Sequence, residues 1–117
     1  MNYRSQSARE NFFSTGPLTL DVDNKKAYTT IGTEVSLTVC QFDMLYALAV
    51  REHKSMSFQA ILDSAYNSAA LDTDIAHKEL YRLIKIIETA GMGFMWIEKT
   101  LDRYSFVTNW KRAKTLC

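Results

Sequence analysis

The amino-acid sequence predicts one α+β domain in which strands and helices occupy separate stretches of the chain. Residues 18–37 alternate apolar and polar side chains and contain turn residues, as short antiparallel strands do. Between residues 39 and 89, apolar side chains recur at helical spacing in three segments. Two strand-like runs, GFMWIEK and RYSFV, follow these segments and predict a β-hairpin. The chain of 117 residues is long enough to form one ordinary hydrophobic core.

The N-terminal part predicts an arm followed by a small sheet. Residues 1–15 are polar and aperiodic, so we expect a flexible arm. Gly16-Pro17 then marks a turn. The stretch LTLDVDNKKAYTTIGTEVSL predicts three antiparallel strands at about 18–22, 26–31 and 34–37.

The first two helices are predicted from their N-terminal caps. Thr38 followed three residues later by Gln41 is a capping-box pattern, so the first helix runs from about 39 to 51. Ser57 is the next N-cap candidate, and the residues after it predict a second helix that ends near Tyr66. In both segments the apolar residues recur every three or four positions, as on the buried face of an amphipathic helix.

The third helix is the most periodic segment of the sequence. Asp72 or Thr73 caps it, and it runs from about 74 to 89 and stops at Gly91. Lysine, arginine and tyrosine side chains share one face, and alanine, leucine and isoleucine side chains share the opposite face. The hairpin follows at residues 94–107. Three helices followed by a C-terminal hairpin is the outline of a winged helix.

This outline predicts one folded unit at residues 16–110, followed by a basic tail at 111–117. No apolar run approaches the ~20 residues that a membrane-spanning helix needs, and the N-terminus lacks the apolar stretch of a signal peptide. Cys40 and Cys117 lie far apart, so the sequence predicts neither a disulfide framework nor a metal site. We therefore expect a cytoplasmic protein without a membrane partner.

The charges are nearly balanced overall but are distributed unevenly. Fourteen basic and thirteen acidic residues give a net charge of +1. Residues 98–117 contain five basic and two acidic residues, a surplus that is also common on solvated surfaces. The sequence has no glycine-rich phosphate loop, no clustered Cys/His set and no recognisable nucleophile–base pair. It predicts a protein that is not an enzyme and that needs no cofactor.

Five short motifs occur in a characteristic order and spacing. LTVCQFDML at residues 37–45 resembles the pattern Leu-Thr-x-x-Glu-Phe-x-Leu-Leu, with Gln41 in place of the glutamate and Met44 in place of a leucine. The others are LTLD at 18–21, the Ser/Ile-Leu/Tyr pattern within 57–66, LYRLIK at 80–85 and RYSF at 103–106. Together they resemble the OmpR/PhoB-type winged helix-turn-helix domain, the DNA-binding half of many bacterial two-component response regulators. The resemblance implies an N-terminal antiparallel sheet, three helices and a C-terminal β-hairpin wing.

The resemblance also implies binding to double-stranded DNA, with the third helix in the major groove and the hairpin as a wing. Arg82 can contact guanine through two hydrogen bonds, and Lys78 and Lys85 can pair with phosphates or guanine. Tyr81 can donate to a phosphate or pack on a thymine methyl group, and the basic residues of the wing can reach the adjacent minor groove or backbone. The candidate DNA-binding side chains are Lys78, Tyr81, Arg82, Lys85, Lys99 and Arg103.

Further partners follow from the same resemblance. Regulators of this family bind repeated half-sites as dimers, so we expect homodimers on DNA. The loop between the second and third helices of the family can also touch RNA polymerase. Here that loop corresponds to Asn67–Asp72, a short and nearly uncharged segment. No receiver domain is predicted within this chain.

Several positions depart from the family pattern and leave other interpretations open. Asp74 stands where the family has an arginine, and Tyr81 and Ile84 replace arginines of the central motif. The face of the third helix can instead be an ordinary solvated face. A second alternative is a winged helix that interacts with a protein through apolar side chains such as Ile84 and Ile86, with weak or no DNA binding.

Overall fold

The computed structural model describes residues 11–65 and 72–109 and confirms the predicted α+β class. Three helices follow a four-stranded antiparallel sheet of order β1-β2-β3-β4, and a three-stranded sheet of order β5-β7-β6 completes the fold. The strands are β1 (Phe12–Thr15), β2 (Leu18–Asp21), β3 (Lys26–Thr29), β4 (Glu34–Val35), β5 (Met56–Ser57), β6 (Met95–Thr100) and β7 (Arg103–Thr108). The helices are α1 (Val39–Ala49), α2 (Phe58–Ser64) and α3 (Thr73–Gly91).

The strand β1 lies inside the segment predicted as a flexible arm. It pairs with β2 from Phe12↔Asp21 to Thr15↔Leu18, so the prediction was wrong for these four residues. Gly16 has a φ of +56° and precedes proline, a combination that suits a two-residue turn of type II′. The four strand residues are too few to show a period, and it is the pairing with β2 that makes them a strand. The first ten residues of the arm lie outside the described part of the chain.

Strands β3 and β4 are each two residues shorter than predicted, and a turn between them accounts for the early end of β3. The Thr29 amide donates to the Thr33 carbonyl at 2.9 Å, and the Gly32 amide donates to the Thr29 carbonyl at 2.8 Å. These bonds close the turn and end β3 at Thr29 rather than near residue 31.

The predicted capping box begins α1. The Thr38 hydroxyl accepts from the Gln41 amide at 3.1 Å, and the Gln41 side chain accepts from the Thr38 amide at 3.0 Å. These two bonds satisfy amide groups that the helix itself leaves without partners. The helix ends at Ala49, two residues earlier than predicted.

The two remaining helices also begin at predicted caps. The Ser57 hydroxyl accepts from the Ala60 amide at 3.1 Å at the start of α2. The predicted end of α2 near Tyr66 lies outside the described residues, as does most of the segment proposed to touch RNA polymerase. At the start of α3, the Asp72 carboxylate accepts from the Asp74 amide at 2.8 Å.

The core lies between the N-terminal sheet, the three helices and the C-terminal hairpin. Every element except the short edge strand β1 contributes a fully or nearly fully buried apolar side chain. The largest fully buried side chains are Leu18, Leu20, Phe42, Met44, Leu45, Leu48, Ile61, Leu80, Leu83, Ile87, Met95 and Phe106. This packing fixes how α3 lies against the hairpin, which decides which side chains of both elements face the solvent together.

The predicted C-terminal hairpin is confirmed. It consists of β6 and β7, is called the wing below, and begins and ends one residue later than predicted. Its two-residue loop follows the pair Thr100↔Arg103 and contains Leu101 with a φ of +56°. The short strand β5, which the sequence pattern did not reveal, pairs with β7 at Met56↔Tyr104. Among the described residues, no helix combines the length and the apolar character needed to cross a membrane.

Candidate nucleic-acid interface

The helix α3 separates an apolar and a polar face as the sequence predicts. Ala76, Leu80, Leu83 and Ile87 are buried in the core. On the other side Tyr81 is 61% exposed. The burial of one face therefore presents the basic and aromatic face to solvent.

A groove of about 790 Å³ runs between this exposed face and the wing. We call it the helix–wing groove, and its lining residues are His77, Lys78, Leu80, Tyr81, Arg82, Ile84, Lys99, Asp102 and Tyr104. Four of the six candidate DNA-binding residues, three from α3 and one from the wing, thus line one depression. Its basic side chains outnumber its single carboxylate three to one, so its lining is positively charged when histidine is neutral.

The other two candidate residues lie elsewhere. Lys85 lines a second groove on the far side of α3, and its Nζ lies 5.1 Å from the centroid of the Tyr81 ring. The Arg103 guanidinium donates to the Ser55 hydroxyl at 2.8 Å and to the Ser55 carbonyl at 3.1 Å. Arg103 therefore ties the start of β7 to the loop before β5 instead of lining the helix–wing groove.

Arg82 is paired within the protein. Its Nη1 lies 3.6 Å from Oε2 of Glu79, one turn earlier on the same helix. The other oxygen of Glu79 accepts from the Thr38 hydroxyl at 3.1 Å. This link between α3 and the cap of α1 depends on tertiary packing, and the sequence offered only the spacing of Glu79 and Arg82 as a signal.

The start of α3 is acidic. Asp72 caps the helix through its side chain, and Asp74 is exposed in the first turn, where a carboxylate stabilises the positive end of the helix dipole. His77 stacks on Phe58 of α2, with ring centroids 3.6 Å apart and planes 21° from parallel. These contacts give Asp72 and His77 structural roles at the junction of α2 and α3.

A hydrogen-bonded cluster lies at the opposite end of the wing. The Glu52 carboxylate accepts hydrogen bonds from the hydroxyls of Thr15 and Thr108, and Nε2 of His53 lies 3.1 Å from it. Burial raises the pKa of Glu52, but the bonds from Thr108 and Thr15 and the nearby His53 outweigh it, so the pKa lies below its ordinary value. The cluster joins the turn after β1, the loop after α1 and the end of the wing.

The second groove has a different character. It measures about 510 Å³ and lies between the turn after β3 and the C-terminal half of α3. Its apolar members include the two highly exposed side chains Ile31 and Met92, together with Val35 and Ile86. We call it the apolar groove. Its lining is more apolar than that of the helix–wing groove.

The described residues contain no group of three or more His, Cys, Asp or Glu side chains arranged to hold a metal ion.

Solved structures similar to this chain are DNA-binding domains of response regulators. The AdeR DNA-binding domain, solved in complex with an intercistronic region, superposes with a TM-score of 0.66 at 18% identity, over 83% of this chain and all of that domain. The DNA-binding domain of CpxR from E. coli gives 0.65 at 20% identity, over 83% and 96% of the two chains. The Klebsiella pneumoniae RstA DNA-binding domain, in complex with the RstA box, gives 0.60 at 23%, over 83% and 95%.

No protein-family model matches the sequence, and no curated protein matches it at a significant level. The similarity is therefore one of structure, and it extends over nearly the whole length of each related domain. The chain has the fold of the OmpR/PhoB-type winged helix-turn-helix domain, in a divergent form.

Proposed function

We propose that this protein binds double-stranded DNA in a sequence-specific manner and regulates transcription. In this proposal α3 enters the major groove and the wing contacts the neighbouring backbone or minor groove. The observation that supports it most directly is the helix–wing groove, in which Lys78, Tyr81 and Arg82 of α3 lie opposite Lys99 of the wing. Similarity in fold to domains solved with DNA supports the same function.

The side chains of the groove suit different parts of a duplex. Arg82 carries a planar fork of donors that matches the O6 and N7 acceptors of guanine. Lys78 and Lys99 are flexible point charges that suit phosphates. Tyr81 offers an exposed ring and hydroxyl, with Lys85 beside it. Arg103 is held by Ser55 near the tip of the wing, so in this proposal it steadies the tip, and its positive charge, which the neutral Ser55 leaves intact, attracts phosphate.

The test is a salt-dependent titration with a duplex selected from a random-sequence pool and with an unselected duplex. We expect the wild-type affinity to fall steeply with salt, because binding releases counterions from the phosphates. Arg82→Ala should weaken binding to the selected duplex by about 5- to 150-fold, the range for losing one good base contact. It should weaken binding to the unselected duplex much less.

Lys26→Ala is the matched control, since it removes the same charge from β3, where Lys26 pairs with Glu34 at 3.8 Å. It should change both titrations only slightly. Wild-type binding that is insensitive to salt, or an Arg82→Ala variant that behaves like Lys26→Ala, would contradict the proposal.

The proposal also covers the oligomeric state, the cellular location and a contact with RNA polymerase. The resemblance to OmpR/PhoB-type regulators implies dimers on repeated half-sites and a cytoplasmic location in bacteria, and we propose both for this chain. Contact with RNA polymerase is proposed for the loop between α2 and α3, of which only Asp72 is described. Sedimentation of the protein alone and with a two-site duplex tests dimer formation, which should be much stronger on the DNA.

One observation favours a second function, a protein-interaction module with weak DNA binding. The apolar groove exposes Ile31 and Met92, at 82% and 77%, beside the half-buried Ile86. Exposed apolar side chains clustered in a groove are typical of protein-binding surfaces. One variant distinguishes the two functions. Ile31→Asp should leave the DNA titration unchanged and should abolish binding of a protein partner to this groove.

A further inference from the structure

The carboxylate of Glu79 lies beside Arg82, the residue that the proposed function assigns to base reading. Oε2 of Glu79 lies 3.6 Å from Nη1 of Arg82. The Arg82 side chain is 64% exposed, whereas that of Glu79 is only 17% exposed. The arginine is therefore free to meet a ligand, while the carboxylate beside it is largely enclosed by protein.

The carboxylate is held from the side opposite Arg82 by the cap of α1. Oε1 of Glu79 accepts from the Thr38 hydroxyl at 3.1 Å, and Thr38 is itself fixed as the N-cap of α1 by its two bonds with Gln41. An ordinary surface ion pair joins two mobile side chains and contributes little. Here the negative partner is anchored by a second helix, so Arg82 meets an anion in a defined position.

We propose that Glu79 is a positioning residue that sets the orientation of the Arg82 guanidinium for one base pair and thereby determines sequence specificity. The inference rests on the proposed DNA-binding function. A long arginine side chain loses rotamer entropy when it binds, and a fixed carboxylate that already restricts it lowers that loss. Nη1 faces Glu79, which leaves the Nε and Nη2 edge of the guanidinium for the acceptors of guanine.

The electrostatic cost of this arrangement supports a role in specificity over one in affinity. A carboxylate near the phosphates weakens binding to every duplex, whatever its sequence. A residue that weakens binding to every duplex but orients the arginine that contacts one base increases the difference in affinity between the correct and an incorrect sequence. Glu79 thus acts oppositely on affinity and on specificity, and the two effects can be measured separately.

The experiment compares Glu79→Gln with the wild type on the selected duplex and on the unselected duplex. The variant should bind the unselected duplex as tightly as the wild type or more tightly, because a repulsive charge is gone. The ratio of the two affinities should fall at least about threefold, which corresponds to the weaker couplings measured between contacting side chains. A role in stability alone would change both affinities equally and leave the ratio unchanged.

Two controls isolate the pair. Glu88→Gln removes the same charge from an exposed position of the same helix and should leave the ratio unchanged. In an Arg82→Ala background, Glu79→Gln should no longer change the ratio, since the group that it positions is missing. Circular dichroism confirms folding, and Glu79→Asp, which keeps the charge and shortens its reach, replaces the glutamine variant if that variant unfolds.

The outcomes distinguish failure of the proposed DNA-binding function from failure of the positioning role alone. A wild-type protein that shows no salt-dependent DNA binding overturns the proposed function, and the positioning role with it. A wild type that discriminates between the duplexes, with equal ratios for Glu79→Gln and Glu88→Gln, overturns the positioning role alone. A lowered ratio for Glu79→Gln that persists in the Arg82→Ala background also overturns it.

Discussion

Leu101 at the tip of the wing combines two unfavourable properties in one residue. Its backbone is left-handed, with φ at +56°, and its side chain is 87% exposed. A side chain with a Cβ atom is strained in this conformation, whereas glycine adopts it freely. Leu101→Gly should therefore raise the free energy of unfolding by up to about 1 kcal/mol, because strain is relieved and almost no buried surface is lost.

Urea denaturation followed by circular dichroism measures this change. Thr100→Gly is the control, since Thr100 has an extended strand conformation one position earlier. That variant should lower stability by roughly 0.5–1 kcal/mol through the greater freedom of glycine in the unfolded chain. A Leu101→Gly variant that is less stable than the wild type would show that the exposed side chain makes a stabilising contact.

Some candidate residues of the helix–wing groove could be predicted from the sequence, whereas some contacts near the groove could not. Lys78, Tyr81 and Arg82 follow from helical periodicity, because the spacing of residues on a helix fixes which side chains share a face. The partners of Glu79 and Arg103 could not be predicted in this way. Each contacts a residue more than 40 positions away, and only the packing of elements brings such residues together.

At the scale of elements, Gly91 controls how α3 meets the first strand of the wing. The helix ends at this residue, as the sequence predicted, but the left-handed conformation belongs to Met92. Gly91 is required for a different reason. A Cβ atom at this position would lie 2.6 Å from Cγ of the fully buried Met95, which is too close for ordinary contact.

Gly91→Ala should therefore lower the free energy of unfolding by about 1–2 kcal/mol. Overpacking a filled core usually costs about 1–3 kcal/mol, and the better helix propensity of alanine offsets part of this. Thr89→Ala is the matched control, because Thr89 is exposed two residues earlier on the same helix. Thermal unfolding should show a loss for the first variant and no loss for the second, and equal midpoints would contradict the packing argument.

Sequence patterns predicted long elements better than short ones, for a physical reason. The periodicity of α3 extends over nineteen residues and is unambiguous, and its caps are set by local chemistry. Strands β1 and β5 contain four and two residues and exist because neighbouring strands pair with them. Strands β2, β3 and β4 are equally short but lie within one alternating stretch, residues 18–37, whereas β1 and β5 lie outside it and carried no such signal.

At the scale of the whole molecule, Glu52 joins parts of the chain that are distant in sequence. Its carboxylate accepts from Thr15 beside the first turn and from Thr108 at the end of the wing, and it lies beside His53. Gly16 permits the same approach, since a Cβ atom there would lie 2.5 Å from Cγ2 of Thr108. The cluster holds the N-terminal sheet against the wing and so helps to fix the wing relative to α3.

This link predicts how stability depends on pH. Because the pKa of Glu52 is lowered in the folded state, its contribution is present above the ordinary value of 4.5 and is lost as pH falls through the folded pKa. Glu52→Gln should lower the free energy of unfolding at pH 7 by about 1 kcal/mol, since a neutral amide is a weaker acceptor for the two hydroxyls. The difference from the wild type should shrink as the pH is lowered below 4.5. Glu98→Gln removes the same charge from an exposed position of the wing and is the control, and it should change the free energy of unfolding at pH 7 only slightly. Urea titrations of the three proteins across this pH range measure the effect. If the difference between Glu52→Gln and the wild type stays constant with pH, the ionised carboxylate does not stabilise the cluster.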